Sequence, residues 1–135
     1  MIQQDYLLRL IAQFIQAMLH ARRVAGRVAE DEESADAVAG EGIGEPNPDP
    51  VGAAEMLEIA FGEAVDMDPQ MLLVLAPESL ASILQVSGTD AQLVPYLVEC
   101  LELESEFLAQ AGMQEVGDVR AAQAAALARA YNLGE

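Results

Sequence analysis

The stretch that decides the fold is residues 2–28, which read IQQDYLLRLIAQFIQAMLHARRVAGRV. Apolar side chains recur in it at helical spacing and cover about half of a helical wheel, while Arg and Gln fill a narrow stripe opposite. The apolar face includes Leu7, Leu8, Ile11, Phe14, Ile15 and Met18. Because a surface helix normally buries a stripe only about 100° wide, we expect this first helix to contact more than one neighbour.

The rest of the chain also favours helices, because its apolar residues are mostly Ala and Leu, with only three Phe and three Tyr. The Asp-Pro pairs at 49–50 and 68–69 are typical helix starts, and Gly88 and Gly112 are typical helix ends. No segment alternates with period two for long enough to indicate a strand. The sequence predicts one all-α domain over residues 1–135, a helical bundle of about five to six helices. The predicted helices span 2–28, 51–65, 69–75, 77–87, 91–111 and 118–131.

An acidic loop rich in Gly and Pro is predicted at about 30–50. Helical periodicity is lost there, three glycines follow one another at alternate positions, and the loop closes with PNPDP at 46–50.

The charge distribution limits the functions that the chain can have. Residues 1–29 carry four Arg and one acid, whereas residues 30–135 carry two Arg and 22 acids, which gives +3 and −20 and a net charge of −17. Such a chain is repelled by nucleic acid and by anionic membrane surfaces. No apolar run approaches the roughly 18 residues of a membrane span, and we expect a cytoplasmic protein. The single Cys excludes an internal disulfide.

Few side chains suggest catalysis. Glu99, Glu102 and Glu106 share a helix face, a spacing that lets carboxylates converge on a metal, although a solvated charged face is far more common. Cys100 lies among leucines, which favours a buried, unreactive thiol. A carboxylate metal-binding enzyme is therefore the weaker alternative, and we assign no catalytic residue, cofactor or metal ligand.

Two charged residues fall on apolar helix faces. Glu104 projects among the leucines of the fifth helix, and Arg22 continues the apolar row of the first. Because a charge removed from water needs a partner, Glu104 is predicted to pair with an arginine, with Arg22 the first candidate and Arg129 the second. The alternative is that a helix end or a kink lets Glu104 and Arg22 reach solvent.

Two segments carry a resemblance to a known family. The opening MIQQDY and the block DPQMLLVLAPESLASIL at 68–84 resemble a family of short bacterial proteins of unknown function with tetratricopeptide-like character. The closing helices at 93–112 and 118–131 resemble one degenerate tetratricopeptide unit without its diagnostic Trp and closing Pro. The small residues expected at its packing positions are Ala122, Ala126 and Ala130. The resemblance implies a protein-binding helical module with no known activity or site residues.

The leading hypothesis is a non-enzymatic protein-protein interaction or scaffold module that self-associates through the first helix, and a homo-oligomer is expected. The stripe of Arg and Gln side chains on the first helix is predicted to dock beside acidic helices, either in its own chain or in a second copy. The alternative is a peripheral membrane-associated factor that uses the same amphipathic helix.

Overall fold

The structure is a computed structural model that describes residues 2–26 and 48–133. Within these ranges it contains six α-helices and no β-strand, which confirms the predicted all-α bundle. The helices are α1 (Ile2–Ala25), α2 (Pro50–Val65), α3 (Pro69–Leu72), α4 (Pro77–Val86), α5 (Val94–Gln110) and α6 (Gln114–Ala130). The predicted loop at 30–50 lies outside the described residues except for its last three positions.

The two Asp-Pro pairs start helices, as predicted. The Asp49 side chain accepts a hydrogen bond from the Gly52 amide at 2.9 Å, and Asp68 accepts one from the Gln70 amide at 2.9 Å. Each aspartate satisfies an amide that the first helical turn would leave unpaired. The Asp49 amide in turn donates to the Val24 carbonyl at 2.9 Å, so the start of α2 is tied to the end of α1.

Two predicted helix starts are wrong. The fifth helix begins at Val94 rather than at 91, because residues 91–93 form a turn. The last begins at Gln114 rather than at 118. Gly117, which directly precedes the predicted start, is buried inside the helix. A Cβ at Gly117 would lie 2.9 Å from the Ser105 carbonyl oxygen of α5, so this glycine permits the close approach of α5 and α6.

The helices pack as a connected series. α1 packs on α2 and, less extensively, on α5, which confirms that it contacts more than one neighbour. α2 packs on α5, and α5 and α6 form an antiparallel hairpin that turns at Gly112, where φ is 84°. α4 packs on α6. The largest fully buried apolar side chains come from α2, α4, α5 and α6 and are Leu57, Phe61, Leu80, Leu84, Val94, Leu97, Leu101 and Leu127.

We predict that Gly117→Ala destabilises the protein by about 1–3 kcal/mol, because the added methyl group meets backbone that cannot move aside cheaply. Helix propensity acts in the opposite direction, since Ala is favoured over Gly by about 1 kcal/mol. The sign of the change in the urea unfolding midpoint therefore separates the two effects. A stabilised variant would show that α5 and α6 do not approach this closely.

Candidate functional site

The most distinctive polar feature is a buried group of side chains around Glu104, which we call the Glu104 cluster. It consists of Glu104 and Cys100 from α5, Arg120 and Gln123 from α6, and Glu58 from α2. Glu104 is 0% exposed, as its place on the apolar face predicts. The Arg120 Nε donates to Glu104 Oε1 at 2.8 Å. The predicted buried carboxylate therefore has an arginine partner.

That partner is neither of the two predicted arginines. Arg22 Nη2 lies 3.7 Å from Glu99 Oε2 in an ion pair whose side chains are about half exposed. Arg129 Nη2 lies 3.4 Å from Glu78 Oε2 at the surface. The reason is geometric. The α5–α6 hairpin places Arg120 directly opposite Glu104, whereas α1 meets α5 at its exposed edge, where Arg22 reaches Glu99.

Arg120 makes three further contacts. Its Nη1 donates to the Leu73 carbonyl at 3.0 Å and to Gln123 Oε1 at 3.2 Å. Its Nη2 lies 3.4 Å from Glu58 Oε2, on a side chain that is 30% exposed. The guanidinium thus uses all three of its nitrogens, which its planar fork of donors allows.

The cluster also fixes the connection between α3 and α4. Gln123 Nε2 donates to the Leu73 carbonyl at 3.1 Å and to the Leu75 carbonyl at 3.0 Å. Because buried carbonyls need partners, these bonds hold a short irregular segment against α6. The Cys100 thiol donates to the Leu57 carbonyl of α2 at 3.5 Å. The cluster therefore joins α2, the α3–α4 connection, α5 and α6.

Burial controls the ionisation of the cluster. It raises the pKa of Glu104 from its ordinary 4.5 to about 8; the charge of Arg120 opposes the rise, and the carboxylate of Glu58 adds to it. Burial, together with the neighbouring Glu104, raises the pKa of the Cys100 thiol well above its ordinary value. A nucleophilic cysteine needs the opposite shift and access to substrate. Cys100 is therefore a packed structural thiol, and the cluster is suited to holding helices together.

The acidic face of α5 behaves differently. Glu99, Glu102 and Glu106 are all exposed. In the part of the chain that the structure describes, no group of three or more His, Cys, Asp or Glu side chains is arranged to hold a metal ion. The metal-enzyme hypothesis therefore has no site among these residues.

The predicted interaction face of α1 divides into two parts. Leu7, Phe14 and Met18 are buried against the core, and Ile11 is half-buried at its edge. By contrast, Leu8 is 55%, Ile15 36% and Leu19 45% exposed. We call these last three residues the α1 stripe; they follow one another at spacings of seven and four and so share one side of the helix. None of the described helices is long and apolar enough to cross a membrane.

A second apolar surface lies on α4 and was not predicted. It is a shallow depression of about 440 Å³, largely open to solvent, which we call the α4 groove. Its lining residues are Leu75, Glu78, Ser79, Ser82, Ile83 and Val86. Helical spacing predicts that Ile83 shares the apolar face of α4 with Leu80 and Leu84, yet Ile83 is 40% and Val86 85% exposed. The signal for this second surface was the spacing of three between Ile83 and Val86.

The partner of Glu104 also had a signal in the sequence. Gly117, Arg120, Ala124 and Leu127 recur at spacings of three and four, and all four are buried. The small residues expected at packing positions are only partly buried: Ala126 is buried, whereas Ala122 is exposed. The row that contains Arg120 therefore predicts an arginine inside the hairpin formed by α5 and α6, which the small residues alone do not.

Comparison of the chain with protein-family models, with curated proteins and with solved structures finds no match. The likeness of MIQQDY to a bacterial family and that of α5 and α6 to a tetratricopeptide unit therefore stay predictions.

We predict that Glu104→Met destabilises the protein by about 3–5 kcal/mol, because it leaves the Arg120 charge buried without its closest partner. The double variant Glu104→Met with Arg120→Met should cost less than Glu104→Met alone, since no charge is then stranded. Glu99→Ala, which breaks a surface pair, should stay within about 0.5 kcal/mol. Urea unfolding measures all three. Equal small effects of Glu104→Met and Glu99→Ala would contradict a structural role for the buried pair.

The raised pKa of Glu104 predicts a pH dependence. A group whose pKa is higher in the folded than in the unfolded chain stabilises the fold while it is protonated. The contribution of Glu104 is thus complete below about pH 4.5 and is lost as the pH rises through about 8. Glu104→Gln keeps the shape without titrating, so the unfolding free energy of the wild type minus that of Glu104→Gln should fall across this window. A difference that stays constant from pH 4.5 to 8 would show that Glu104 has the same pKa in both states.

Proposed function

We propose that this chain is a non-enzymatic helical interaction module that associates with further copies of itself through the α1 stripe. The observation that carries the proposal is the exposure of Leu8, Ile15 and Leu19 on one side of a 24-residue helix. Apolar side chains aligned along a helix are the usual means by which one helix docks on another protein surface.

The free energy available from the stripe limits how tight this association is. Full burial of a Leu or Ile side chain is worth about 1.5–3 kcal/mol, and each stripe residue has roughly half of that still to gain. Three residues therefore contribute about 3 kcal/mol, which is less than the ~4–15 kcal/mol that association costs in lost freedom of motion. The stripe needs an apolar counterpart and additional contacts, and the expected affinity is moderate.

A binding role also fits the inaccessibility of the reactive groups. The acid and the thiol with the most perturbed pKa values, Glu104 and Cys100, are both fully buried. Substrate would have to unpack the α5–α6 hairpin to reach them. We extend the proposal to a cytoplasmic location and to protein partners beyond a second copy.

Peripheral membrane binding by α1 is the competing use of the same surface. Arg22 and Arg23 lie on either side of the α1 stripe, as in helices that rest on anionic lipid. The net charge of −17 opposes this attraction, so association with protein is favoured. Flotation with vesicles that contain anionic lipid tests this alternative. If the protein is recovered with the vesicles, our proposal is wrong and peripheral membrane binding by α1 takes its place.

We predict that the purified protein has a molar mass above that of one chain at micromolar concentration, as measured by light scattering after gel filtration. Leu8→Glu and Ile15→Glu should each reduce it to a single chain, because they place a charge in the apolar contact. Gln16→Glu is the matched control, since it adds the same charge at an exposed position beside the stripe and should leave the mass unchanged. A wild type of one-chain mass at every concentration would refute self-association.

A further inference from the structure

The α1 stripe belongs to a row with the spacing of a helix-pairing surface. Leu8, Ala12, Ile15 and Leu19 follow one another at spacings of four, three and four, and all of them are exposed. We call these four residues the α1 row. Alternation of three and four is the spacing with which two helices pack along each other. The shape of the surface therefore suits a second helix.

Charges of opposite sign flank the α1 row. Asp5 lies about one turn before it and Arg23 about one turn after it, and both are exposed. These two residues are five helical turns apart, so they lie on the same side of α1, about 27 Å from each other. Among the residues that the structure describes, neither side chain forms an ion pair. Arg22, by contrast, pairs with Glu99 of its own chain.

The apolar residues and the flanking charges are arranged around one centre. The midpoint between Asp5 and Arg23 falls at position 14, and the midpoint between Leu8 and Leu19 falls between positions 13 and 14. A two-fold axis through this centre relates α1 to an antiparallel α1 of a second copy. It brings Asp5 of each copy level with Arg23 of the other. It also brings Leu8 of each copy level with Leu19 of the other.

Only the antiparallel orientation makes the charges complementary. Two parallel α1 helices in register would place Asp5 against Asp5 and Arg23 against Arg23, which opposes association. Antiparallel helices also bring the positive amino-terminal end of each helix beside the negative carboxyl-terminal end of the other. In this arrangement Arg9 is level with the uncharged Leu19 of the second copy, so no two like charges lie directly opposite each other.

We propose that the protein forms a symmetric dimer in which α1 packs antiparallel on α1 of a second copy, with Asp5 of each copy paired with Arg23 of the other. This inference rests on the proposed self-association and names the surface that the α1 stripe binds. Each stripe is the apolar counterpart of the other, and Ala12 of each copy is level with Ile15 of the other, so that a small side chain faces a large one. Because both copies use the same surface, the assembly stops at two chains.

The test reverses the flanking charges in the full-length protein. Asp5→Arg and Arg23→Asp change exposed positions, so both variants are expected to fold, as circular dichroism will check. Each variant alone places like charges opposite each other at both ends of the contact. Its dimer dissociation constant, measured by sedimentation equilibrium at low salt, should therefore rise by about tenfold.

An equal mixture of the two variants provides the rescue. Opposite charges then face each other at both ends, so the mixed dimer should be as tight as the wild-type dimer. Gln13→Arg is the control, because it adds positive charge at an exposed position of α1 outside the contact and should leave the dissociation constant unchanged.

Three results overturn the inference but leave self-association through α1 in place. They are single variants that dimerise as tightly as the wild type, a mixture as weak as each variant alone, and a wild-type mass that rises beyond two chains. Each would show that the copies meet in another arrangement. A wild type that is a single chain at every concentration would refute the proposed function first, and the inference with it.

Discussion

The contact between Arg120 and Glu104, 2.8 Å from Nε to Oε1, constrains the whole bundle. Burial of this hydrogen-bonded pair gains little net free energy, because the attraction between the guanidinium and the carboxyl group is offset by the loss of their hydration. Its geometry, however, must be satisfied. If the hairpin slides or opens, the guanidinium loses its hydrogen bonds at once and a charge is left in the core. The pair therefore fixes the register of α5 against α6 more strictly than leucine packing would.

The placement of the other elements depends on this register. With Arg120 fixed, its remaining nitrogens reach the Leu73 carbonyl and Glu58 of α2, and Gln123 holds the Leu73 and Leu75 carbonyls. The connection that leads into α4 is thus oriented by side chains of α6. Leu75 is both an acceptor in this network and part of the α4 groove. The Glu104 cluster therefore also holds one end of the α4 groove in place.

The sequence predicted the helices better than it predicted which side chains pair, for physical reasons. Asp49 and Asp68 act through amides two or three residues away, so their effect can be read locally. The burial of Glu104 could also be read, because it follows from helical spacing alone. Its partner could not be fixed, since an arginine on an apolar face exists on more than one helix and only the hairpin register selects Arg120. The apolar face of α1 is also only partly predictable from local spacing. The spacing defines which residues share the face, but the packing of neighbouring helices decides that Phe14 is buried and Leu8 is exposed.

The hydrogen bond from the Asp49 amide to the Val24 carbonyl has an evolutionary consequence. It holds the end of α1 against the residue that caps α2, so the described chain leaves the bundle and re-enters it at neighbouring points. In general, the free energy of joining two such points through a flexible segment depends on the logarithm of the segment length, and doubling the length costs about 0.6 kcal/mol. The bundle can therefore accept insertions and deletions at this position with little loss of stability. Variation in length among any relatives of this chain should concentrate there, while the Glu104 cluster allows little change.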